Sequence, residues 1–474
     1  MNDATERDFV KEDFAKDVVP DGSDDSADPC GTIYRLHGIP PLRVAFPLGL
    51  QHVLAMFTSN LAPCFILAGV LGMGSADRVI MVQCTMLVSG VTTFLQLYPI
   101  YAFGRGKGRP RIGAELPIVM GTSFAFVPTS STIGRLYGLP GVLGGALLGS
   151  LVEFVMGFFI RPLKRFFPPL VIGTVLLAIG ADLLTTGMHY WAGGLGSLDY
   201  GSPSNLFIGS AVFLTVLACQ RFGGRMVALS SLLIGILLGY VLSFFMGKLD
   251  FSPILNAAWA DVPLPFRFRY EFHPDAVLSF AALYVISGLE TIGNTSGITI
   301  AAFDREATVD ETAGAILADS FGSMLATVFN TLPNTAFGQN AGIVAMTGVV
   351  NKFCIAIGAS VLVVAGFLPK VGALFSIMPN PVLGGALLMV FAMIAINGIK
   401  LIAKSGFSQR NVIVLGVTLA LGMGFGGAPE AVLKNFPGPI QYIFRDSVVA
   451  VCIVGILANA IFPRDEQDRA VIDI

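Results

Sequence analysis

Apolar runs of about 20 residues, the length a helix needs to cross hydrocarbon, recur along this chain from Phe46 to Phe462. Such runs restrict the backbone to helices or closed barrels, because the bilayer core holds no water to satisfy an open N–H or C=O group. Of the 474 residues, 54% are hydrophobic and 13% charged, against roughly 25% charged in soluble domains. The chain reads as an all-α polytopic membrane protein whose constant partner is the lipid bilayer. A net charge of -2 and short basic clusters exclude nucleic acid, which requires concentrated Lys and Arg. The cysteines Cys30, Cys64, Cys84, Cys219, Cys354 and Cys452 are scattered without metal-ligand spacing, so neither a metal site nor a disulfide framework is expected and most read as small buried apolar residues. No HExxH, GxSxG or Walker motif occurs, so the chain reads as neither an enzyme nor an ATP-driven pump.

Polar breaks divide the apolar sequence into fourteen segments. Seven are expected at 43–70, 77–102, 113–130, 138–161, 166–188, 205–221 and 226–247, and seven at 275–302, 311–330, 334–349, 351–372, 380–403, 410–427 and 444–462. An odd number of spans per half makes the second half enter from the opposite side, giving two inverted 7-segment repeats. The acidic stretch 1–42 reads as a disordered cytoplasmic tail without the apolar core of a signal peptide, and 463–474 as a second cytoplasmic tail. Arg105, Lys107, Arg109, Arg111, Arg161, Lys164, Arg165, Arg221, Arg225, Lys400, Lys404 and Arg410 fall on the inner side, as positive-inside topology requires. Arg267 and Arg269, in an external loop at 251–274, are the exception. The third and tenth segments are short and begin in Pro, Gly, Ser, Thr or Asn, and paired interrupted segments of this kind point to a midplane binding site.

Within that frame the polar residues are few. Phe337-Gly338-Gln339-Asn340 opens the tenth segment and Gly121-Thr122-Ser123-Phe124 lies in the third; helix starts there leave N–H groups free for a ligand. Glu290 falls near the middle of the eighth segment with Asn294 one turn later on the same face, and a carboxylate at that depth is a functional candidate. Asp319 is a second intramembrane acid, suited to relay a proton or to clamp neighbouring backbone. Glu153 and Asp182 are also flanked by apolar residues and rank below these, as interfacial or structural groups. His52 has Asp319, Glu290 or a carbonyl as expected partners. Phe124, Phe126 and Phe337 offer aromatic walls. One acid, a few carboxamides and free backbone donors match the alternating N–H and C=O edge of a purine or pyrimidine dione.

These residues resemble a known family. Gln339-Asn340-Ala341-Gly342-Ile343-Val344-Ala345-Met346-Thr347-Gly348 is similar to the signature of the nucleobase-ascorbate transporters: Gln, Glu or Pro, then Asn, any residue, Gly, four of any kind, Thr, and Arg, Lys or Gly. Gln51-His52, Phe167-Pro168-Pro169, the Glu290 segment, Ala318-Asp319 and Pro379 to Gly385 extend the resemblance over about residues 36–462. It implies short strands in segments 3 and 10, a core domain (43–163 and 275–378) and a gate domain (164–250 and 379–462) moving in elevator fashion, and a homodimer in the plasma or inner membrane. It implies that Glu290 and Gln339 hold the base, that Ser123, Phe124, Phe337 and Gly338 line it, and that Asn340 and Thr347 set selectivity and helix geometry. His52, Asp319 and Asn294 would support the core and proton coupling. No cofactor is implied beyond the proton. Gln339 resembles the xanthine and uric acid permease branch; Ala341 and Asn294 depart from it. The alternatives are a uracil or other nucleobase permease and an anion transporter on the same fold.

Overall fold

Proline starts many of the helices, because it lacks the N–H that a first turn cannot use. The computed structural model describes residues 31–101, 110–159, 168–224, 227–228, 230–426, 430–437, 441 and 444–463. Its elements are α1 (Leu42–Val70), α2 (Ser75–Leu97), β1 (Met120–Thr122), a 3-10 turn Phe124–Phe126 leading into α3 (Val127–Phe158), α4 (Pro169–Trp191), α5 (Pro203–Phe222), α6 (Ser231–Phe245), α7 (Pro274–Phe303), α8 (Val309–Val328), β2 (Asn334–Ala336), α9 (Gly338–Thr347), α10 (Lys352–Gly366), α11 (Pro369–Ser376), α12 (Asn380–Lys404), α13 (Gln409–Val417) and α14 (Ser447–Ile461). The chain is all-α apart from β1 and β2, which form one two-stranded sheet.

Among the described residues, seven helices are long and apolar enough to cross a membrane, or eight when the bent pair α10 and α11, 83° apart, counts as one span. The others are shorter or interrupted. α6, α14 and the stretch Gln409–Met423 are short apolar helices, the last continuing α13 as a π-wound turn. α3 carries two of the expected segments, divided at Gly138 (φ 68, ψ -171). A left-handed φ is costly for any residue with a Cβ, and Pro140 follows at once. The loop expected at 131–137 is therefore helix, and the chain turns at a single glycine.

The helices pack in two groups. α1, α2, α3, α7, α8 and α10 surround the β1–β2 sheet, with α7 and α8 against α3 and α10 against α1 and α2. α4 lies along α12, with α5, α6, α13 and α14 completing the second group. Contact between the groups is lighter: Tyr190 Oη on α4 donates to the Ile66 carbonyl of α1 (3.0 Å), and the ring of Phe391 on α12 meets the edge of Phe124 at 5.5 Å.

The tail expected over 1–42 falls in part outside the described residues. Residues 31–41 are ordered, correcting that boundary: Asn351 Nδ2 donates to the carbonyls of Thr32, Arg35 and Gly38 at 3.1–3.2 Å. The 251–274 loop is also fastened, since Asp261, Phe266 and Glu271 donate backbone N–H groups to Phe367, Val328 and Pro140. Of the cysteines, Cys64, Cys84, Cys354 and Cys452 are buried and Cys219 is half-buried; Cys30, the Arg161–Arg165 cluster and most of the Arg105–Arg111 cluster lie outside the described residues.

A two-stranded sheet within a bilayer must satisfy both of its outer edges, and side chains do so here. Asn60 Oδ1 on α1 accepts from Thr122 N (2.7 Å) and Ser89 Oγ (2.9 Å), while Thr93 Oγ1 accepts from Met120 N (3.0 Å). On the other edge, Ser323 Oγ of α8 exchanges bonds with Asn334 N and Asn334 O, both 3.1 Å. Gly121 is required at the centre: a Cβ there would stand 2.4 Å from Phe337 Cε2, 2.7 Å from Met56 Cε and 2.9 Å from Asn60 Oδ1. Gly121→Val is expected to cost about 1 to 3 kcal/mol through overpacking, read as a lowered melting temperature of the detergent-purified protein; an unchanged melting curve would show that the sheet tolerates a side chain.

Candidate functional site

The two interrupted segments meet through their strands. β1 and β2 pair antiparallel, Met120 with Ala336, Gly121 with Thr335 and Thr122 with Asn334. Bonds from Ser123 N to Pro333 O and from Phe337 N to Val119 O, both 2.9 Å, extend the ladder to the first residue of each following helix. Two helix N-termini thus start at one buried crossing, each aiming unsatisfied N–H groups and a partial positive charge away from the sheet.

The two ends differ. Ser123 Oγ accepts from Ala125 N at 3.2 Å and so caps its own 3-10 turn. Phe337 has no capping side chain, so the start of α9 is uncapped, and Gly338 and Gln339 are exposed while Asn340 is buried. α7 runs past this start: Asn294 Nδ2 donates to Ala336 O (2.7 Å), a Cβ on Gly338 would meet Asn294 Oδ1 at 2.8 Å, and one on Gly297 would meet Ala341 Cβ at 3.7 Å. Advancing along α7 therefore advances along α9. Glu290, four residues before Asn294 and so about 6 Å back along the axis, falls ahead of the level of the uncapped α9 terminus. It is half-buried.

Asn340 faces inward. Its Nδ2 donates to the Pro117 carbonyl just before β1, and its Oδ1 meets His52 Nδ1 on α1 at 2.5 Å. The Pro117 carbonyl can only accept, which orients the amide and leaves Nδ1 as the protonated nitrogen of His52. Of the partners expected for His52, it is a carbonyl across the bundle, that of the Asn340 amide, and neither Asp319 nor Glu290. Phe337 is nearly as buried as any core residue and packs with Val53, Met56 and Val119, so its ring supports β1 rather than standing open as a wall. Phe124 is buried against Phe391. Thr347 closes the far end of α9, with Oγ1 donating to Ile343 O (2.8 Å) and accepting from Val349 N (3.2 Å).

Asp319 sits behind the sheet on α8, fully buried, and accepts from Thr291 Oγ1 on α7. Glu153 on α3 is also fully buried, inside the helix bundle rather than on its surface. Four residues stood out only in three dimensions: Asn60 and Thr93, which hold β1, Ser323, which holds β2, and Phe391, which brings the second helix group to Phe124. A lone Asn, Thr, Ser or Phe in an apolar helix has no spacing that distinguishes it.

Two half-helices crossing at buried strands, within a multi-pass helical fold, define a membrane transporter of the discontinuous-helix kind, not an enzyme. The profile of the Permease family matches residues 43–430, and the chain belongs to that family. It is similar to the uric acid permease PucK of Bacillus subtilis (31% identity, covering 89% of this chain and 96% of the relative) and to the nucleobase transporter PlUacP of Paenibacillus larvae subsp. larvae (30%, 89% and 96%). Its fold resembles the transmembrane domain of the cyanobacterial bicarbonate transporter BicA, with a TM-score of 0.57 at 14% identity, covering 89% of this chain and 98% of that domain.

Proposed function

We propose that the chain is a proton-coupled secondary transporter that imports a purine nucleobase, xanthine or uric acid, across the cytoplasmic membrane. The observation that carries this reading is the uncapped start of α9 at Gly338 and Gln339, packed on α7 at Asn294 with Glu290 one turn earlier on the same helix. The terminus and the Gln339 amide donate to carbonyl oxygens, while Glu290 and the Gln339 carbonyl accept from ring N–H groups. A dione-bearing purine presents both kinds of group along its edges. The relatives named for uric acid and nucleobases support that chemistry.

In this reading the sheet-bearing group is the core that carries the base and the α4–α12 group is the gate against which it slides. The lighter packing between the two supports such a division. A homodimer with both termini cytoplasmic belongs to the same proposal. Glu290 argues against an inorganic anion as substrate, because a carboxylate facing the terminus repels it.

Uptake of labelled xanthine into cells lacking their own permeases, competed with urate, guanine, hypoxanthine and uracil at two pH values, tests the proposal. Xanthine and urate should compete best, and a protonophore should abolish accumulation against a gradient. Competition by uracil alone would overturn the purine assignment, and protonophore-resistant accumulation would overturn the proton.

A further inference from the structure

Behind the β1–β2 crossing lies a second polar cluster that substrate recognition does not use. Glu153 on α3 and Asp319 on α8 are both completely buried, and the Ser320 hydroxyl beside Asp319 donates to the Ser150 carbonyl one turn before Glu153 (2.9 Å), which makes the two acids neighbours across the α3–α8 contact. Ser287 and Tyr284 of α7 are equally buried, and a Cβ on Gly288, next to Ser287, would stand 3.4 Å from Glu153 Oε1. Both oxygens of Glu153, Asp319 Oδ1, Ser287 Oγ and Tyr284 Oη take no formed hydrogen bond among the described residues. That is five buried oxygens with unmet hydrogen-bonding capacity around one carboxyl pair.

An ionised carboxylate only accepts hydrogen bonds, so two of them in contact require a proton or a cation between them. Among the described residues, the elements packed on the pair bring no positive side chain to it. α7 contributes Tyr284, Glu290 and the Thr291 hydroxyl on Asp319; α3 contributes the Ser150 carbonyl, which Ser320 beside Asp319 occupies; β2 contributes Thr335; α2 contributes Thr92, packed at Gly322 one turn along α8. One proton placed between Glu153 and Asp319 gives a carboxylic O–H donating to a carboxylate. The remaining charge then faces the Thr291 hydroxyl on Asp319, with the buried, unpaired hydroxyls of Ser287 and Thr335 beside the pair.

We propose that Glu153 and Asp319 hold one shared proton, forming a proton site on α3 and α8 that is separate from the Glu290 substrate site but adjoins it through α7. The site sits at the joint between the helix that carries Glu290 and the strand that opens α9. Loading or emptying the shared proton changes the charge directly behind the crossing. This rests on the transport reading only for its use in coupling; the shared proton itself is a property of the protein at rest.

The test therefore has a readout that needs no transport. Infrared spectra of the purified protein at neutral pH should contain a protonated-carboxyl stretch that Glu153→Gln removes, because the amide N–H replaces the proton and leaves Asp319 ionised. Asp319→Asn should remove the same band, so either variant that remains monodisperse decides the matter. In the Glu153→Gln variant, uptake should also lose its dependence on external pH. A band unchanged in both variants overturns the proposal, as does a wild-type spectrum that responds to sodium and contains no such band. Proton-independent uptake together with a band lost on substitution would remove the coupling reading and leave the shared-proton site standing.

Discussion

Replacing Glu290 by Ala is expected to abolish measurable uptake while leaving the protein folded. The carboxylate is half-buried, so its removal leaves space that water fills rather than a collapsed core. The proposed base, however, loses both of its hydrogen bonds to a charged acceptor. Each such bond contributes roughly 1.5 to 3 kcal/mol, and at about 1.4 kcal/mol per tenfold two of them amount to a loss of transport efficiency of roughly a hundredfold to ten-thousandfold. The measurement is initial uptake of labelled xanthine, normalised to protein in the membrane. Glu290→Gln tests the charge of the acceptor, since the amide carbonyl still accepts one bond but carries no charge. It should bind substrate weakly and transport at a rate between those of Glu290→Ala and the wild type. Glu290→Ala cells that concentrate the base as well as wild-type cells would remove Glu290 from the site.

The membrane character and the order of segments were legible because the bilayer makes length and hydropathy decisive. The third and tenth segments were legible for the opposite reason: Gly121, Thr122 and Ser123, and Asn334, Thr335 and Gly338, interrupt apolar runs where an interruption is expensive. Glu290, Asp319, Gln339 and Asn340 stood out by the same argument from cost. Partnership was not legible. His52 had several candidate acceptors within an undetermined bundle, and only the packing of α1 against the start of α9 chose Asn340. Glu153 was read as interfacial or structural, since its depth depends on where the third segment ends. That end is set by the positive φ of Gly138, one residue that sequence periodicity passes over. The edge supports Asn60, Thr93 and Ser323 were invisible because they serve a sheet of three residues per strand, too short to leave an alternating pattern.

Asn340→Ala is expected to weaken the protein more than it changes selectivity. The side chain joins three elements that are far apart in sequence: α9, the Pro117 carbonyl ahead of β1, and His52 on α1. Truncation leaves a buried carbonyl and a buried imidazole N–H unpaired, and each unsatisfied group costs about 1 to 3 kcal/mol. A total of roughly 2 to 6 kcal/mol should appear as a large fall in the melting temperature of the purified transporter. His52→Ala should lower it less, because Asn340 keeps its bond to Pro117. If the two residues form one brace, the double variant will be less destabilised than the sum of the single ones, with a coupling of about 0.5 to 3 kcal/mol. Additive effects would show that His52 and Asn340 act independently. A normal melting temperature with altered competition between xanthine and urate would make Asn340 a ligand contact instead. The exposure of Gln339 beside the burial of Asn340 argues for the brace: adjacent residues at a helix start point about 100° apart, so one carboxamide is left open for the proposed ligand while the next ties α9 to the sheet and to α1.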